Sequence, residues 1–210
     1  ERQLLRLLGN SPLQITVEFL HTTSHIAKNT AQSYLEKFYK TFDEVKDKYY
    51  DGLIITGAPI EQLEFEDVNY WGELNSIFEW SKTHVFSTLN ICWAAQASLY
   101  YHFGVKKEQV ADKIFGVFEH DVLIENHTLT RGFTDTFLAP HSRHTRIEEE
   151  KLPTISELDV LARSEEVGTL IAATKDLRKI FVTGHIEYDA DTLHNEYVRD
   201  KNSNLQSRFL

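Results

Sequence analysis

The sequence predicts an α/β fold, a three-layer sandwich with a mostly parallel central sheet and antiparallel additions in the second half. Two observations support this prediction. In the first half, strand-like apolar runs alternate with helical patterns, as the crossover connections of a parallel sheet require. In the second half, three strand-like runs lie close together between residues 158 and 183, which favours hairpins. The length of 210 residues suits one domain, and we expect a single domain over residues 1–210.

The individual elements follow from periodicity and from turn residues. Val68, Trp71, Leu74 and Phe78 recur at helical spacing, whereas the Gly-Ala-Pro run at 57–59 ends a short, continuous apolar strand. In the first half the predicted elements are a helix at 1–8, a half-exposed strand at 13–20, a helix at 31–40, a strand at 53–56, a helix at 67–82, a strand at 84–91 and a helix from 93 that Gly104 stops. In the second half they are short strands around 117–124 and 136–139, strands at 158–162, 169–173 and 179–183, and a closing helix at 189–199.

The bulk composition argues against several classes of protein. A formal net charge of −10 disfavours a nucleic-acid groove, which needs clustered lysine and arginine. No apolar run is long enough to span a bilayer and no signal-peptide pattern is present, so we expect no membrane association. A single cysteine excludes an internal disulfide and points to a reducing compartment, the cytoplasm.

Cys92, the only cysteine, stands where a strand should turn abruptly into a helix. Residues 84–91 are rich in branched and aromatic side chains, and the helical pattern begins at Trp93. A side chain at such an elbow projects from the top of the sheet, beside the backbone N–H groups that begin the helix. Those groups and the helix dipole favour a thiolate, so Cys92 is either a reactive nucleophile or a buried apolar thiol.

His185 and Glu187 follow another predicted strand and supply the groups that a cysteine nucleophile requires, a base and a residue that orients the base. In extended backbone, residues i and i+2 face the same way, so Glu187 can hold one imidazole nitrogen while the other faces Cys92. Considered alone, His185 could equally be a capping or surface histidine and Glu187 a solvated charge. In open α/β sheets ligands bind beyond the carboxyl ends of the strands, where all three residues are expected.

An oxyanion hole can be predicted at the same point. The backbone N–H of Trp93, which follows the nucleophile, is one candidate donor. The Gly57-Ala58 turn at the neighbouring strand end supplies the second, the N–H of Ala58. Gly57 would permit a backbone conformation that aims this amide into the site.

Six stretches of the chain carry a resemblance to a known family. They are Gly-Ala-Pro at 57–59, Asn-Ile-Cys-Trp-Ala-Ala-Gln-Ala at 90–97, Gly-Val-Phe-Glu-His at 116–120, Arg-Gly-Phe at 131–133, Ala-Pro-His-Ser-Arg-His at 139–144 and Gly-His-Ile-Glu-Tyr-Asp at 184–189. Together they resemble the homoserine O-acyltransferases of methionine biosynthesis, whose fold is class I glutamine amidotransferase-like (flavodoxin-like). That family has a further strand before residue 1 and a longer tail after Leu210, so the resemblance implies a catalytic core without either end.

The resemblance implies a role for each member of the predicted trio. Cys92 would carry the acyl group, His185 would be the general base, and Glu187 would orient it. In the related amidotransferases, glycines flank the cysteine two residues away on each side. Asn90 and Ala94 occupy those positions here, which argues against a glutaminase.

Four further residues match functional positions of the family. Lys113, Ser142 and Arg199 match substrate-contacting positions, and Arg199 could clamp a carboxylate bidentately with Lys113 as a second cation. Without the resemblance, Lys113 and Arg199 would be interpreted as solvated charges. Glu61 matches the position at which succinyl-specific members carry glycine and acetyl-specific members carry glutamate. A carboxylate there would repel the distal carboxylate of a succinyl group.

The expected activity is therefore that of a homoserine O-acetyltransferase. An acetyl group would pass from acetyl-CoA to Cys92 and then to the hydroxyl of L-homoserine, giving O-acetyl-L-homoserine. Transfer of succinyl from succinyl-CoA is the alternative. The expected partners are these small molecules, with acetyl-CoA as co-substrate, no permanently bound cofactor, no nucleic acid and no membrane. The family's dimeric habit implies a homodimer.

Three rival interpretations remain at the level of the sequence. The same trio could serve a cysteine hydrolase or amidotransferase. A metal site could be built on His120, His141 and His144, although Pro140 suggests a loop rather than a helix for the last two. The chain could also be a relative without enzymatic activity.

Overall fold

The computed structural model describes residues 2–24 and 37–202, and the chain divides into two compact units. The first comprises Glu1–Leu53 and Leu63–Phe86, and the second comprises Ile54–Gln62 and Ser87–Leu210. The single domain expected over residues 1–210 stays a prediction. In the described part of the chain, no helix combines the length and the apolar character needed to cross a bilayer.

In its described residues, the first unit contains short strands and three helices. They are α1 (Arg2–Gly9), β1 (Phe19–Leu20), β2 (Tyr39–Lys40), α2 (Phe42–Val45), the start of β3 (Tyr50–Ile55), a 3₁₀ turn (Phe65–Asp67) and α3 (Trp71–His84). The predicted strand at 13–20 was wrong for most of its length, because only Phe19 and Leu20 find a partner strand and Leu13 is 73% exposed. The helix predicted at 31–40 falls largely outside the described residues, and its last two residues form β2.

The apolar spacing that predicted α3 does place its buried side chains. Leu74 and Phe78 are buried on this helix, and Trp80 donates from Nε1 to the Lys46 carbonyl at 2.7 Å. The helix begins four residues later than expected. The reason is the 3₁₀ turn before it, which buries Phe65 and ends at Val68.

The second unit is built on a mixed sheet. Its strands are the ends of β3 and of β4 (Val85–Ile91), followed by β5 (Lys107–Val122), β6 (Thr136–Ile147), β7 (Leu158–Ser164), β8 (Gly168–Thr174) and β9 (Lys179–Val182). The strand order is β3-β4-β9-β8-β7-β5-β6. β4 and β9 are parallel, whereas the pairs from β9 through β8, β7 and β5 to β6 are antiparallel. The α/β class and the antiparallel additions in the second half are confirmed.

The β5–β6 hairpin is much longer than the two short strands predicted there. β5 has 16 residues and β6 has 12, with Gly116 opposite His141. The inward face of β6 alternates as a strand should, but it carries His141, Arg143 and Thr145, all buried. Because these inward side chains are polar, a search for apolar alternation stops at Ala139.

The described residues of the second unit also include two α-helices. α4 (Trp93–Phe103) is buried over its first seven residues and ends at Gly104, which adopts the left-handed conformation with φ 65°. This termination is the one predicted from the sequence. α5 (Thr192–Asn202) begins three residues later than expected.

Candidate active site

Cys92 lies at the sharp turn between β4 and α4, as predicted. Its backbone has φ 55° and ψ −116°, a conformation that a residue with a side chain rarely adopts. Its N–H still donates to the Val182 carbonyl of β9 at 2.7 Å, so the strained residue is anchored on the parallel strand pair. The carbonyl of Cys92 accepts the first hydrogen bonds of α4, from Ala95 at 3.0 Å and Gln96 at 3.3 Å. The elbow therefore aims a nearly buried thiol, 4% exposed, from the end of the sheet.

Gly57 packs directly against this thiol. A Cβ atom added at Gly57 would lie 3.1 Å from Cys92 Cβ and 3.7 Å from its Sγ. Gly57 is not among the described residues with positive φ, so the conformational freedom expected of it is not what the site uses. The requirement at position 57 is space for close approach to the nucleophile.

His185 and Glu187 meet as predicted, although across a turn rather than in extended backbone. His185 Nδ1 lies 2.9 Å from Glu187 Oε1, and both side chains are about nine-tenths buried. The turn is closed by a hydrogen bond from Tyr188 N to His185 O at 3.3 Å. The second hydrogen-bonding partner of the imidazole is the Cys92 side chain. The structure thus brings the three predicted residues into one chain of contacts.

The position of His185 depends on the strand beside it. The N–H of His185 donates to the Pro140 carbonyl of β6 at 2.9 Å. A Cβ at Gly184 would lie only 2.8 Å from that carbonyl oxygen and 3.1 Å from Cε1 of His141. Gly184 is therefore required for close packing, and any side chain there would push His185 away from β6.

The electrostatics of His185 favour its protonated form. Burial disfavours the charge, but hydrogen bonds and charge interactions with Cys92 and Glu187 outweigh burial and raise the pKa of His185 to about 10. At neutral pH the imidazole is accordingly an imidazolium, placed between the side chains of Cys92 and Glu187. This is the arrangement of an activated cysteine nucleophile.

Tyr188 is a site residue that the sequence argument missed. Its ring stacks on His185 with centroids 4.3 Å apart, and its hydroxyl donates to Glu196 Oε1 of α5 at 2.7 Å. Burial and the Glu196 hydrogen bond raise the pKa of Tyr188, so the phenol stays neutral. Its place within the Gly-His-Ile-Glu-Tyr-Asp stretch was the available signal.

Lys113 and Arg199 come together through a second missed residue, Asp200. Lys113 Nζ lies 2.8 Å from Asp200 Oδ2, with both side chains almost wholly buried. Arg199 donates to Asp200 Oδ1 from Nε at 2.9 Å and from a terminal nitrogen at 2.7 Å, and this bond raises the pKa of Arg199. We call these three residues the cation cluster. Its net charge is +1, because two cations share one carboxylate.

Ser142 lies close to the cation cluster. It is opposite Phe115 in the β5–β6 register, and Lys113 Nζ lies 4.6 Å from the centroid of the Phe115 ring. Ser142 also follows His141, which packs against Gly184. The strand segment 140–142 therefore connects the cation cluster with the turn that carries His185.

Glu61 is half-buried and is held against β6. Its Oε1 accepts from the backbone N–H of His144 at 3.0 Å, and its own carbonyl accepts from Lys107 Nζ at 2.6 Å and Gln109 Nε2 at 3.3 Å. Its charge acts on Arg143, which also interacts with the charge of Cys92. The Glu61 carboxylate is thus held by the backbone of β6 and is not a mobile group on an exposed turn.

The two predicted oxyanion donors, Trp93 and Ala58, lie next to Cys92 and Gly57 in the chain. Trp93 is the first residue of α4, where backbone N–H groups are not used by the helix ladder, and Ala58 follows Gly57 beside the thiol. Their role as oxyanion donors stays a prediction.

The histidines considered for a metal site are not on a loop. His141 and His144 lie on a strand, on opposite faces. Within residues 2–24 and 37–202, the structure contains no group of three or more His, Cys, Asp or Glu side chains that could bind a metal ion.

Two solved structures with the same fold are named glutamine amidotransferases. One from Thermotoga maritima aligns with a TM-score of 0.60 and 15% identity, covering 82% of this chain and 76% of that one. Another from Methylobacillus flagellatus aligns with a TM-score of 0.58 and 16% identity, covering 72% and 57%. The fold of this chain is therefore glutamine amidotransferase-like, an α/β fold with a cysteine at its strand-to-helix elbow.

Sequence comparison defines the family within that class. A family model described as homoserine O-succinyltransferase matches residues 1–209, and the chain belongs to this family. A homoserine O-acetyltransferase of Acetivibrio thermocellus is 54% identical over 209 residues, covering 100% of this chain and 68% of that protein. The homoserine O-acetyltransferases of Lachnoclostridium phytofermentans (57% identical, 98% and 68% covered) and Bacillus subtilis (55%, 99% and 69%) are similarly close. The resemblance stated from the six stretches is confirmed.

Proposed function

We propose that this chain transfers an acetyl group from acetyl-CoA to the side-chain hydroxyl of L-homoserine, with Cys92 as the acyl carrier. The observation that carries this proposal is the contact chain Cys92–His185–Glu187 at the elbow, in a chain whose relatives are named homoserine O-acetyltransferases. The family model is described by the succinyl reaction, so transfer from succinyl-CoA is the second candidate.

In the first half of the reaction, the Cys92 thiolate attacks the thioester carbonyl of acetyl-CoA. The oxyanion of the tetrahedral intermediate would accept hydrogen bonds from the N–H groups of Trp93 and Ala58. The intermediate then collapses, the bond to coenzyme A breaks, and the His185 imidazolium gives its proton to the departing thiolate. Acetyl-Cys92 and a neutral imidazole remain.

Acetylation changes the proton affinity of His185, which makes the second half possible. Two of the causes that raise its pKa are the hydrogen bond to Cys92 and the charge of Cys92. Both disappear when the sulfur becomes a thioester, so the pKa of His185 falls and the imidazole can act as a base. It takes the proton of the homoserine hydroxyl as that oxygen attacks the acetyl carbon. Cys92 leaves as the thiolate.

The cation cluster is suited to the α-carboxylate of homoserine. Lys113 and Arg199 present two cations beside the carboxylate of Asp200. An arginine can bind a carboxylate through two parallel hydrogen bonds. Ser142, on the neighbouring strand face, would contact the same substrate. Binding the carboxylate there would leave the flexible side-chain hydroxyl to reach Cys92.

Glu61 would set the choice of donor. Its carboxylate is fixed by the His144 N–H, and its charge acts on Arg143, on which the charge of Cys92 also acts. A succinyl chain would bring a second carboxylate toward it, which costs free energy in a partly dry site. An acetyl group brings no charge and less volume.

One assay tests the proposal. Release of coenzyme A is measured with acetyl-CoA and with succinyl-CoA, each with and without L-homoserine, and the protein mass is recorded after brief exposure to each donor. We expect homoserine-dependent release from acetyl-CoA and a protein heavier by one acetyl group. Cys92→Ala should show neither, while its thermal unfolding stays close to that of the parent. Release of ammonia from glutamine without acyl transfer would instead support an amidotransferase.

A further inference from the structure

A string of buried polar side chains lies behind the candidate triad. His120, His141 and Arg143 are each at most 2% exposed. Nδ1 of His120 lies 2.9 Å from the Phe118 carbonyl, the Nε2 atoms of the two histidines are 3.0 Å apart, and Arg143 Nε lies 3.3 Å from His141 Nδ1. The reaction described above uses none of these side chains.

The hydrogen bonds of this string have only one consistent direction. Arg143 Nε can only donate, so His141 Nδ1 accepts and the proton of His141 is on Nε2. That proton is donated to His120 Nε2, which leaves the proton of His120 on Nδ1, facing the Phe118 carbonyl. Burial, reinforced by the charge of Arg143, lowers the pKa of both histidines, of His141 most strongly. Both rings are therefore neutral at neutral pH.

Arg143 keeps its charge without a carboxylate in contact. Its terminal nitrogens donate to the Thr145 and Val167 carbonyls, both at 2.6 Å, so all three of its bonds go to neutral acceptors. Among the described residues, no carboxylate lies within ion-pair distance of it. Burial lowers the pKa of Arg143 to about 10, which leaves the guanidinium protonated at neutral pH. Such a buried cation is costly unless an anion forms near it.

The strand geometry places Arg143 between two contacts that lie near the elbow of Cys92. His141, two residues before it on the same face of β6, packs against Gly184 next to His185. Thr145, two residues after it on that face, donates to Gln96, one turn into the helix that starts behind Cys92. Arg143 lies between these two contacts. Among the charged groups that act on the pKa of Arg143, Cys92 has the strongest effect, followed by Glu149 and Glu61.

We propose that Arg143 is a positioning residue for the nucleophile: a buried cation, held by the neutral His120–His141 pair, whose field stabilises the Cys92 thiolate. The neutral partners matter because a carboxylate in their place would cancel that field. The inference rests on the proposed function only in taking Cys92 as the nucleophile. Other groups that act on Cys92 are His185 and Tyr188, while Glu61, Glu149 and Arg146 act on Arg143.

Alkylation of Cys92 by iodoacetamide, measured against pH without any acyl donor, tests this inference. Because the chain has one cysteine, every label reports Cys92. We expect the parent midpoint below the value of about 8.5 of a free thiol. Arg143→Gln should raise the midpoint by about one to two pH units, and Arg143→Lys, which keeps the charge, should stay near the parent. Arg146→Gln, on the same strand but with a side chain 59% exposed, is the matched control and should change nothing.

The outcomes separate charge from structure. A folded Arg143→Gln with the parent midpoint would overturn the inference, as would an equal rise in Arg143→Lys. If Arg143→Gln does not fold, His185→Asn replaces it, since Arg143 should hold the midpoint below about 8.5 without the imidazolium. A midpoint at or above that value would also overturn the inference. Loss of acetyl transfer with these shifts intact would count against the proposed function alone.

Discussion

The candidate triad and the cation cluster both hold charged side chains in the second unit, but different parts of the chain position those side chains. In the triad, backbone positions the groups: the strained elbow at Cys92 and the tightly packed Gly184 before His185. In the cation cluster, a side chain does so, since Asp200 binds both Lys113 and Arg199. Local motifs therefore reveal each member of the triad, whereas no motif marks Asp200, which binds Lys113 across 87 positions of the chain.

The difference also has an energetic side. In the triad, His185 gives up a proton and takes one back during the proposed reaction, so the charge of the triad changes. The cation cluster carries a fixed positive charge, and two of its three side chains are at most 6% exposed. Removing one member of such a buried set leaves an uncompensated charge. We therefore expect triad variants to lower kcat and cluster variants to raise KM for homoserine.

The largest effect is expected in the triad. His185→Asn removes the base, so both half-reactions should fail and kcat should fall by at least about a thousandfold. Glu187→Gln keeps the shape but supports the imidazolium less, and its loss should be about a hundredfold. Steady-state kinetics with acetyl-CoA measures both, with the exposed Glu165→Gln as control. A Glu187→Gln variant as active as the parent would require another third member.

The next effect concerns the donor. Glu61→Gly should raise the ratio of succinyl to acetyl catalytic efficiency by about a hundredfold, because it removes both charge and volume. Glu61→Gln removes the charge alone, so comparing the two variants separates repulsion from steric exclusion. The exposed Glu64→Gly serves as control. If neither variant at position 61 changes the ratio, Glu61 does not select the donor.

A smaller effect is expected in the cation cluster. Asp200→Asn leaves Lys113 buried without its carboxylate and frees Arg199 to reorient, so KM for homoserine should rise about tenfold while kcat changes little. Saturation curves for homoserine at fixed acetyl-CoA test this, with Asp191→Asn, an exposed carboxylate near the same helix, as control. A fall in kcat at unchanged KM would place Asp200 with the triad instead.

A separate effect is expected on stability rather than on turnover, and its sign follows from the raised pKa of His185. A pKa raised from 6.5 to about 10 in the folded protein gives stability that is fully present below pH 6.5 and is lost as pH rises toward 10. Because the raised pKa of His185 depends on its charged neighbours, we expect the loss to be about 2 kcal/mol. Denaturant unfolding of the parent and of His185→Asn at pH 6 and pH 9.5 measures it. An advantage of the parent that grew with pH would contradict the raised pKa.

The sequence was most informative where short-range chemistry fixes the backbone. The elbow at Cys92, the stop at Gly104 and the pairing of His185 with Glu187 were all predicted from neighbouring residues, and all three occur. The length of β5 and β6 was not predicted, because the inward residues of β6 are polar. Alternation of apolar residues cannot reveal a strand whose buried face carries histidine and arginine.

By itself the sequence determined the α/β class, the family and the three residues of the candidate triad, because each depends on local patterns or on motifs of several residues. Only the tertiary structure brought Asp200 to Lys113, stacked Tyr188 on His185 and buried Arg143 among neutral acceptors. The first of these contacts joins residues 87 positions apart, and the other two depend on burial that only the fold creates. A charged residue that is solvated in one fold is buried in another. Their energies come from burial and from partners that strand register brings within reach, and neither can be read from the order of residues alone.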